Sequence, residues 1–215
     1  MSYKAAIFDM DGTILDTLDD LAGSVNHSLA LYGYPLRTRE EIRTFLGNGM
    51  VRLIHLSVPE GITQEEEAAV LAEHKRYYPL HSGDHTRPYE GIPEVLKRLK
   101  EAGIRTAVVS NKSDSNVKAL AARFYDGLFD VTIGSMDGME RKPAPDMVNL
   151  ALRELGVTAE EAVYIGDSEV DLETAANSHL PIITVTWGFR DMDHLIRHGA
   201  KCFAHKPEEL LDFIL

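Results

Sequence analysis

A single cysteine, Cys202, stands in 215 residues. No intrachain disulfide can form and no set of thiols is present to hold structural zinc, so the fold rests on its apolar core and the chain suits a reducing compartment. Basic residues are also scarce, with 22 Lys and Arg against 34 Asp and Glu and a formal charge of -12. A surface of that sign repels a phosphodiester backbone, and no basic run or aromatic-basic stripe offsets it, which excludes nucleic acid as an expected partner. Long apolar runs are missing too. The stretch Pro181-Ile182-Ile183-Thr184-Val185-Thr186-Trp187 falls far short of the roughly 20 residues that a membrane-spanning helix needs. With no signal-peptide pattern near residue 1, the expectation is a cytoplasmic protein without a membrane partner. What is present is a 44% hydrophobic content, enough for a sizeable core and for one domain with a smaller companion.

The most informative segment is Ala5-Ala6-Ile7-Phe8-Asp9-Met10-Asp11-Gly12-Thr13. Residues 3 to 8 read as a buried strand of a parallel sheet, and the carboxyl ends of such strands are where open α/β sheets bind ligands. Asp9 and Asp11 share the two-residue period of extended backbone, so both can face one crevice, while Gly12 lets the chain turn sharply. Two carboxylates that close repel; the pair implies either a raised pKa or a bound divalent cation. An Asp-x-Asp-Gly sequence is also a common solvated turn, so the weight falls on polar residues further along the chain.

Further strands are expected at residues 104 to 109, 130 to 133, 162 to 165, 182 to 186 and, weakly, 201 to 204. Helical patterns lie between them, such as Ile92, Val95, Leu96 and Leu99 before Gly103. Strands alternating with helices predict an α/β fold, a doubly wound parallel sheet. The alternation stops between residues 16 and 85, where two capping boxes, Thr38-x-x-Glu41 and Thr63-x-x-Glu66, mark helices. The expected organisation is a core of 1–15 and 86–215 with a helical insertion of 16–85, leaving and rejoining the sheet beside Asp9 and Asp11, where it can act as a lid.

Three later strand ends carry polar side chains. Ser110-Asn111-Lys112 offers a hydroxyl, an amide and backbone N–H groups to an anion, with Ser113 expected to cap the next helix; Ser110 can equally be a plain turn residue. Lys142 sits in a loop stiffened by Pro143 and Pro145, the latter expected as the first residue of a helix, and a fixed ammonium there would counter the charge of a phosphate. Gly166-Asp167-Ser168-Glu169-Val170-Asp171 puts one carboxylate at a strand tip and another a helical turn on, an oxygen set that suits magnesium. His194 and His198 share the i, i+4 spacing of some zinc helices but lack the glutamate of that motif, and are read as surface residues.

In order and in strand context, Asp9-x-Asp11-Gly12-Thr13, Ser110, Lys142 and Gly166-Asp167-x-x-x-Asp171 resemble the four motifs of the haloacid dehalogenase superfamily, and the insertion resembles its helical cap of the first type. Phe45-Leu46-Gly47-Asn48-Gly49, Arg87-Pro88-Tyr89-Glu90-Gly91 and Val185-Thr186-Trp187-Gly188 narrow the resemblance to phosphoglycolate phosphatases and their relatives. It implies hydrolysis of small phosphomonoesters, best exemplified by 2-phosphoglycolate, through a phosphorylated Asp9, with Asp11 as acid and then base. Mg2+ would be held by the side chains of Asp9 and Asp167 and the backbone carbonyl of Asp11. Ser110 and Lys142 would grip the phosphoryl group, Asp171 would hold Lys142 or a metal-bound water in place, and Thr13, Asn111, Asn48 and Arg52 would meet the substrate, with Arg52 as the cation for a carboxylate. A mutase similar to β-phosphoglucomutase, and a pyrophosphatase or nucleotide phosphatase of the same superfamily, are the alternatives. The partner is then a small phosphorylated metabolite, and the protein a monomer or homodimer. One departure stands out: His179 occupies a position where relatives often have glycine.

Overall fold

Strand β1, Ala5–Phe8, is fully buried because helices cover both of its faces. In the computed structural model, which describes residues 3–215, its side chains alternate between two apolar layers. Ala6 and Phe8 join one cluster with Val95 and Leu96 of helix α5 (Ile92–Glu101), Val117 and Leu120 of α6 (Asp114–Tyr125) and Leu210 of α10 (Glu209–Ile214). Ala5 and Ile7 join the other, with Met147, Val148 and Ala151 of α7 (Asp146–Leu155) and Ala175 of α8 (Glu169–Asn177). The remaining strands of this sheet are β4 (Arg105–Ser113), β5 (Val131–Ser135), β6 (Ala162–Gly166), β7 (Ile182–Val185) and β8 (Phe203–Ala204).

Six strands run in the order β5-β4-β1-β6-β7-β8 with parallel pairing throughout. The chain winds outward from β1 through β4 and β5, then returns to β6 and winds the other way, so this is a doubly wound α/β sheet whose reversal of direction falls at β1. That reversal opens a crevice beyond the strands' carboxyl ends, and Asp9 is the first residue past β1. Two short strands, β2 (Leu15–Asp16) and β3 (Arg87–Pro88), pair separately.

The chain divides into two compact units, one made of the residues up to Asp16 together with Pro88–Leu215, the other of Thr17–Arg87. The second is helical: α1 (Leu18–Leu31), α2 (Arg39–Phe45), α3 (Gly49–Ser57) and α4 (Gln64–His81). Both predicted capping boxes form, with Thr38 and Thr63 each accepting from the backbone N–H three residues on and Glu41 and Glu66 reaching back. Among the described residues no helix is long and apolar enough to cross a membrane.

Three local expectations need correction. Strand β4 runs to Ser113 instead of stopping at 109, because a register shift after Val109 lets Ser113 pair with Ser135; Ser110, Asn111 and Lys112 therefore lie on extended backbone. Ser113 is the N-cap residue of α6, yet its side chain makes no capping hydrogen bond. Pro145 precedes α7 as its N-cap residue, and the helix begins at Asp146. His179 takes a φ of 58°, the left-handed turn that glycine would adopt more cheaply.

Candidate active site

Register alone brings the polar strand ends together. Phe8 is level with Val108 on one side and Ile165 on the other, so Asp9, Val109 and Gly166 form the next row, with Ser110 and Asp167 just beyond. The Asp9 N–H donates to Ile165 O at 2.9 Å, continuing the sheet into the site.

Four side chains then meet in a buried cluster. Lys142 Nζ donates to Asp9 Oδ1 at 2.7 Å, to Asp171 Oδ1 at 2.9 Å and to the Tyr164 hydroxyl at 3.0 Å; Tyr164 in turn donates to Asp171 Oδ1 at 3.1 Å. Lys142 reaches this position from the loop between β5 and α7, where Asn111 Nδ2 donates to its backbone carbonyl at 3.0 Å and Asn177 Nδ2 to that of Pro143 at 2.8 Å. Asp171 Oδ2 accepts from Asp167 N, Ser168 N and Ser168 Oγ at 3.2, 3.1 and 2.6 Å, so both of its oxygens are committed. Gly166 makes this possible, since a methyl group there would overlap the Asp171 side chain.

The electrostatics of the cluster are strained. Burial, reinforced by Asp171, pushes the Asp9 carboxyl well above its ordinary range despite Lys142. Asp167 is pushed up to about 7, first by burial and then by Asp171. Burial works against the Lys142 ammonium, but Asp171 and Asp9 outweigh it and hold its proton more firmly than usual. Asp9 and Asp171 share the Lys142 ammonium, and Asp167 adds a third buried carboxylate beside them, so acidic groups outnumber the cation that touches them.

A hard divalent cation fits that deficit. Asp9, Asp167 and Asp171 each offer an oxygen within 4.8 Å of the others. Asp171 is the poorest ligand of the three because both of its oxygens already accept hydrogen bonds from Lys142, Tyr164 and the Asp167–Ser168 turn. Asp167 accepts from Thr13 Oγ1 at 3.1 Å and Phe189 N at 2.7 Å. Asp9 and Asp167 are therefore the side chains that would hold an ion, and Asp171 the one that positions Lys142. Asp11's side chain lies outside this trio; its Oδ1 pairs with a second buried lysine, Lys112, whose Nζ is 3.1 Å away.

The other predicted residues lie around this cluster or in the helical unit. Thr13, expected at the substrate, is fully buried and spends its hydroxyl on Asp167. Asn111 likewise turns its amide to Lys142. Ser110 is buried at the end of β4, and its Oγ accepts from Lys112 N at 3.2 Å. Asn48 and Arg52 are exposed residues of the helical unit, at and just inside the start of α3. His194 binds Glu169 at 3.1 Å and stacks on His198, and neither histidine belongs to a metal-ligating group among the described residues.

Sequence reading missed Tyr164, Lys112 and the backbone of Phe189. Tyr164 carried a usable signal: a phenol in an otherwise apolar, two-sided buried strand must find a hydrogen-bond partner. Lys112 had none of that kind, since its neighbours Ser110, Asn111 and Ser113 are polar and its burial follows from the extension of β4. The Phe189 N–H had none.

Comparison with known proteins agrees with this geometry. The family model for haloacid dehalogenase-like hydrolases matches residues 6–185. A phosphoglycolate phosphatase of Rhodobacter capsulatus is 36% identical over 207 residues, 92% of this chain and 91% of the relative. An N-acetylmuramic acid 6-phosphate phosphatase of Pseudomonas aeruginosa is 28% identical over 216 residues, 100% of this chain and 96% of the relative. Among solved structures, one from Lactobacillus delbrueckii subsp. bulgaricus, provisionally named a phosphoglycolate phosphatase, superposes with a TM-score of 0.95 at 40% identity, covering 100% of this chain and 99% of that one.

Proposed function

Because the chain belongs to the haloacid dehalogenase-like hydrolase family, we propose that it is a phosphatase of small phosphomonoesters, with 2-phosphoglycolate the substrate its relatives' names and its charge pattern favour. The observation that carries the reading is the buried ammonium of Lys142, shared at hydrogen-bond distance by Asp9 and Asp171 at the point where the sheet reverses direction.

Asp9 is the nucleophile. One of its oxygens bonds to phosphorus in line as the bond to the ester oxygen breaks, giving an acyl phosphate on Asp9, while the departing oxygen takes a proton from Asp11. Asp11, now ionised, accepts a proton from water as that water attacks phosphorus, releasing inorganic phosphate and restoring both carboxyl groups. Lys142 holds the Asp9 carboxylate in place and offsets charge on the phosphoryl oxygens. Ser110, whose Oγ accepts from Lys112 N, has its own proton to donate to them. Asp9, Asp167 and the backbone carbonyl of Asp11 are the oxygens that would hold Mg2+, which supplies further neutralisation of the transferring group.

Lys112 bears on the choice of substrate. Its ammonium lies beside Asp11, the group that meets the leaving oxygen, and in glycolate the carboxylate is two bonds from that oxygen. A cation there favours an anionic leaving group. The test is release of free phosphate from a panel of phosphomonoesters with and without chelator. We expect 2-phosphoglycolate to lead a neutral analogue, 2-hydroxyethyl phosphate, and Lys112→Gln to lower that preference at least tenfold, on the order of 1.4 kcal/mol of discrimination. No release from any ester sinks the phosphatase reading; an unchanged preference in the variant sinks only the assignment of the carboxylate to Lys112.

A further inference from the structure

The loop after β7 supplies no group to the chemistry above, yet it touches the site three times. Trp187 Nε1 donates to Thr13 O at 3.0 Å, Gly188 lies so close to Asp167 that a methyl group would overlap its carboxylate, and Phe189 N donates to Asp167 Oδ2 at 2.7 Å. The next residue, Arg190, forks onto Glu169, with Nε to Oε2 at 2.8 Å and Nη2 to Oε1 at 3.1 Å. Glu169 opens α8, two residues after Asp167. The path from Asp167 through Glu169, Arg190 and Phe189 back to Asp167 is thus a closed ring.

Exposed ion pairs are worth little, but this one is bidentate and mostly buried, at 9% and 20% side-chain exposure. Burial alone would raise the Glu169 carboxyl; hydrogen bonds and charge from Arg190 override it and bring it down to about 2. His194 Nε2, 3.1 Å from Glu169 Oε2, fixes the same carboxylate from α9 (Met192–Arg197). Asp167 is approached closely by Gly12 and Gly188, where a methyl group would overlap its carboxylate, and its two oxygens accept from Thr13 Oγ1 and Phe189 N.

We infer that the Arg190–Glu169 pair is a positioning clamp, holding the Phe189 N–H against Asp167 and so setting the affinity of Asp167 for a divalent cation. The inference rests on the reading that Asp9 and Asp167 hold that cation. Partners that orient metal ligands commonly change affinity by 10- to 100-fold when removed.

The experiment is calorimetric titration of the full-length protein with Mg2+, in the absence of substrate, alongside thermal melting. Arg190→Gln is expected to raise the Mg2+ Kd about tenfold, Glu169→Gln by a similar factor, and the double variant no further than either single one. Arg190→Lys, which keeps the charge and loses the fork, should recover only part of the affinity, and it serves as the second variant if Arg190→Gln does not fold. Mg2+ binding that stays at the wild-type level in folded variants, even with a lowered melting temperature, overturns the clamp while leaving the cation reading intact. A wild-type protein that binds no Mg2+ overturns both.

Discussion

Buried polar groups serve different ends in the two units. In the helical unit each of three is matched nearby: the Asp20 carboxylate accepts from the backbone N–H groups of His85 and Thr86, Ser24 meets His74, and the Ser57 hydroxyl donates to Leu53 O. In the sheet-bearing unit three buried carboxylates crowd together at the strand ends, two of them on the Lys142 ammonium, and burial raises Asp9 and Asp167. Matched polar groups fix a fold; a cluster left electrostatically unbalanced is held in place by the surrounding structure and marks the chemistry.

The sharpest way to break that contrast is Asp9→Asn. Turnover should fall by roughly three orders of magnitude or more, as for removal of a covalent nucleophile, while the melting temperature does not drop, because a source of repulsion has gone. Phosphate release together with a melting curve reads both, and retained turnover would refute Asp9 as nucleophile.

A smaller effect tests the imbalance itself. Asp167, with its pKa raised to about 7 in the metal-free fold, carries a penalty in that fold that is absent below its ordinary value near 3.8 and grows to its full size as pH rises through 7. Mg2+ competes with that proton. Stabilisation by added Mg2+ should therefore grow between pH 5 and pH 8, by on the order of 2 kcal/mol, measured as the shift in urea midpoint with and without the ion. A shift independent of pH would show that Asp167 holds neither proton nor cation there.

The helical unit should respond the other way. Asp20→Ala removes a buried carboxylate from the N–H groups of His85 and Thr86, the latter buried, and should cost about 2 kcal/mol of stability, read by urea unfolding, while turnover changes by less than about tenfold, a limit worth ~1.4 kcal/mol of barrier. Loss of turnover without loss of stability would put Asp20 in the chemistry and erase the contrast between the units.

How far the sequence can be read depends on the kind of signal. Strands β1, β4, β5, β6 and β7 are legible because short apolar runs end at glycine or polar turns, and the capping boxes because their spacing is itself the structure. Asp9, Lys142, Asp167 and Asp171 stand out as candidates, since acidic strand tips and a proline-flanked lysine are local patterns. Thr13 and Asn111 read as substrate contacts because a hydroxyl and an amide in a loop look alike whether they face solvent or a neighbour; only packing turns them towards Asp167 and Lys142. The length of β4 depends on a register shift against β5, a separate strand beyond α6.

Composition, period and turn chemistry thus determined the α/β winding and the row of strand ends on which the acidic groups sit, because these follow from local sterics and from which faces must be covered. The tertiary structure alone decided which group answers which: Lys142 between Asp9 and Asp171, Tyr164 closing that triangle, Lys112 beside Asp11, and a backbone N–H at Phe189 on Asp167. All but the Tyr164–Asp171 contact join segments well apart in the chain, and their geometry is fixed by register and packing across the sheet, about which no single segment carries information.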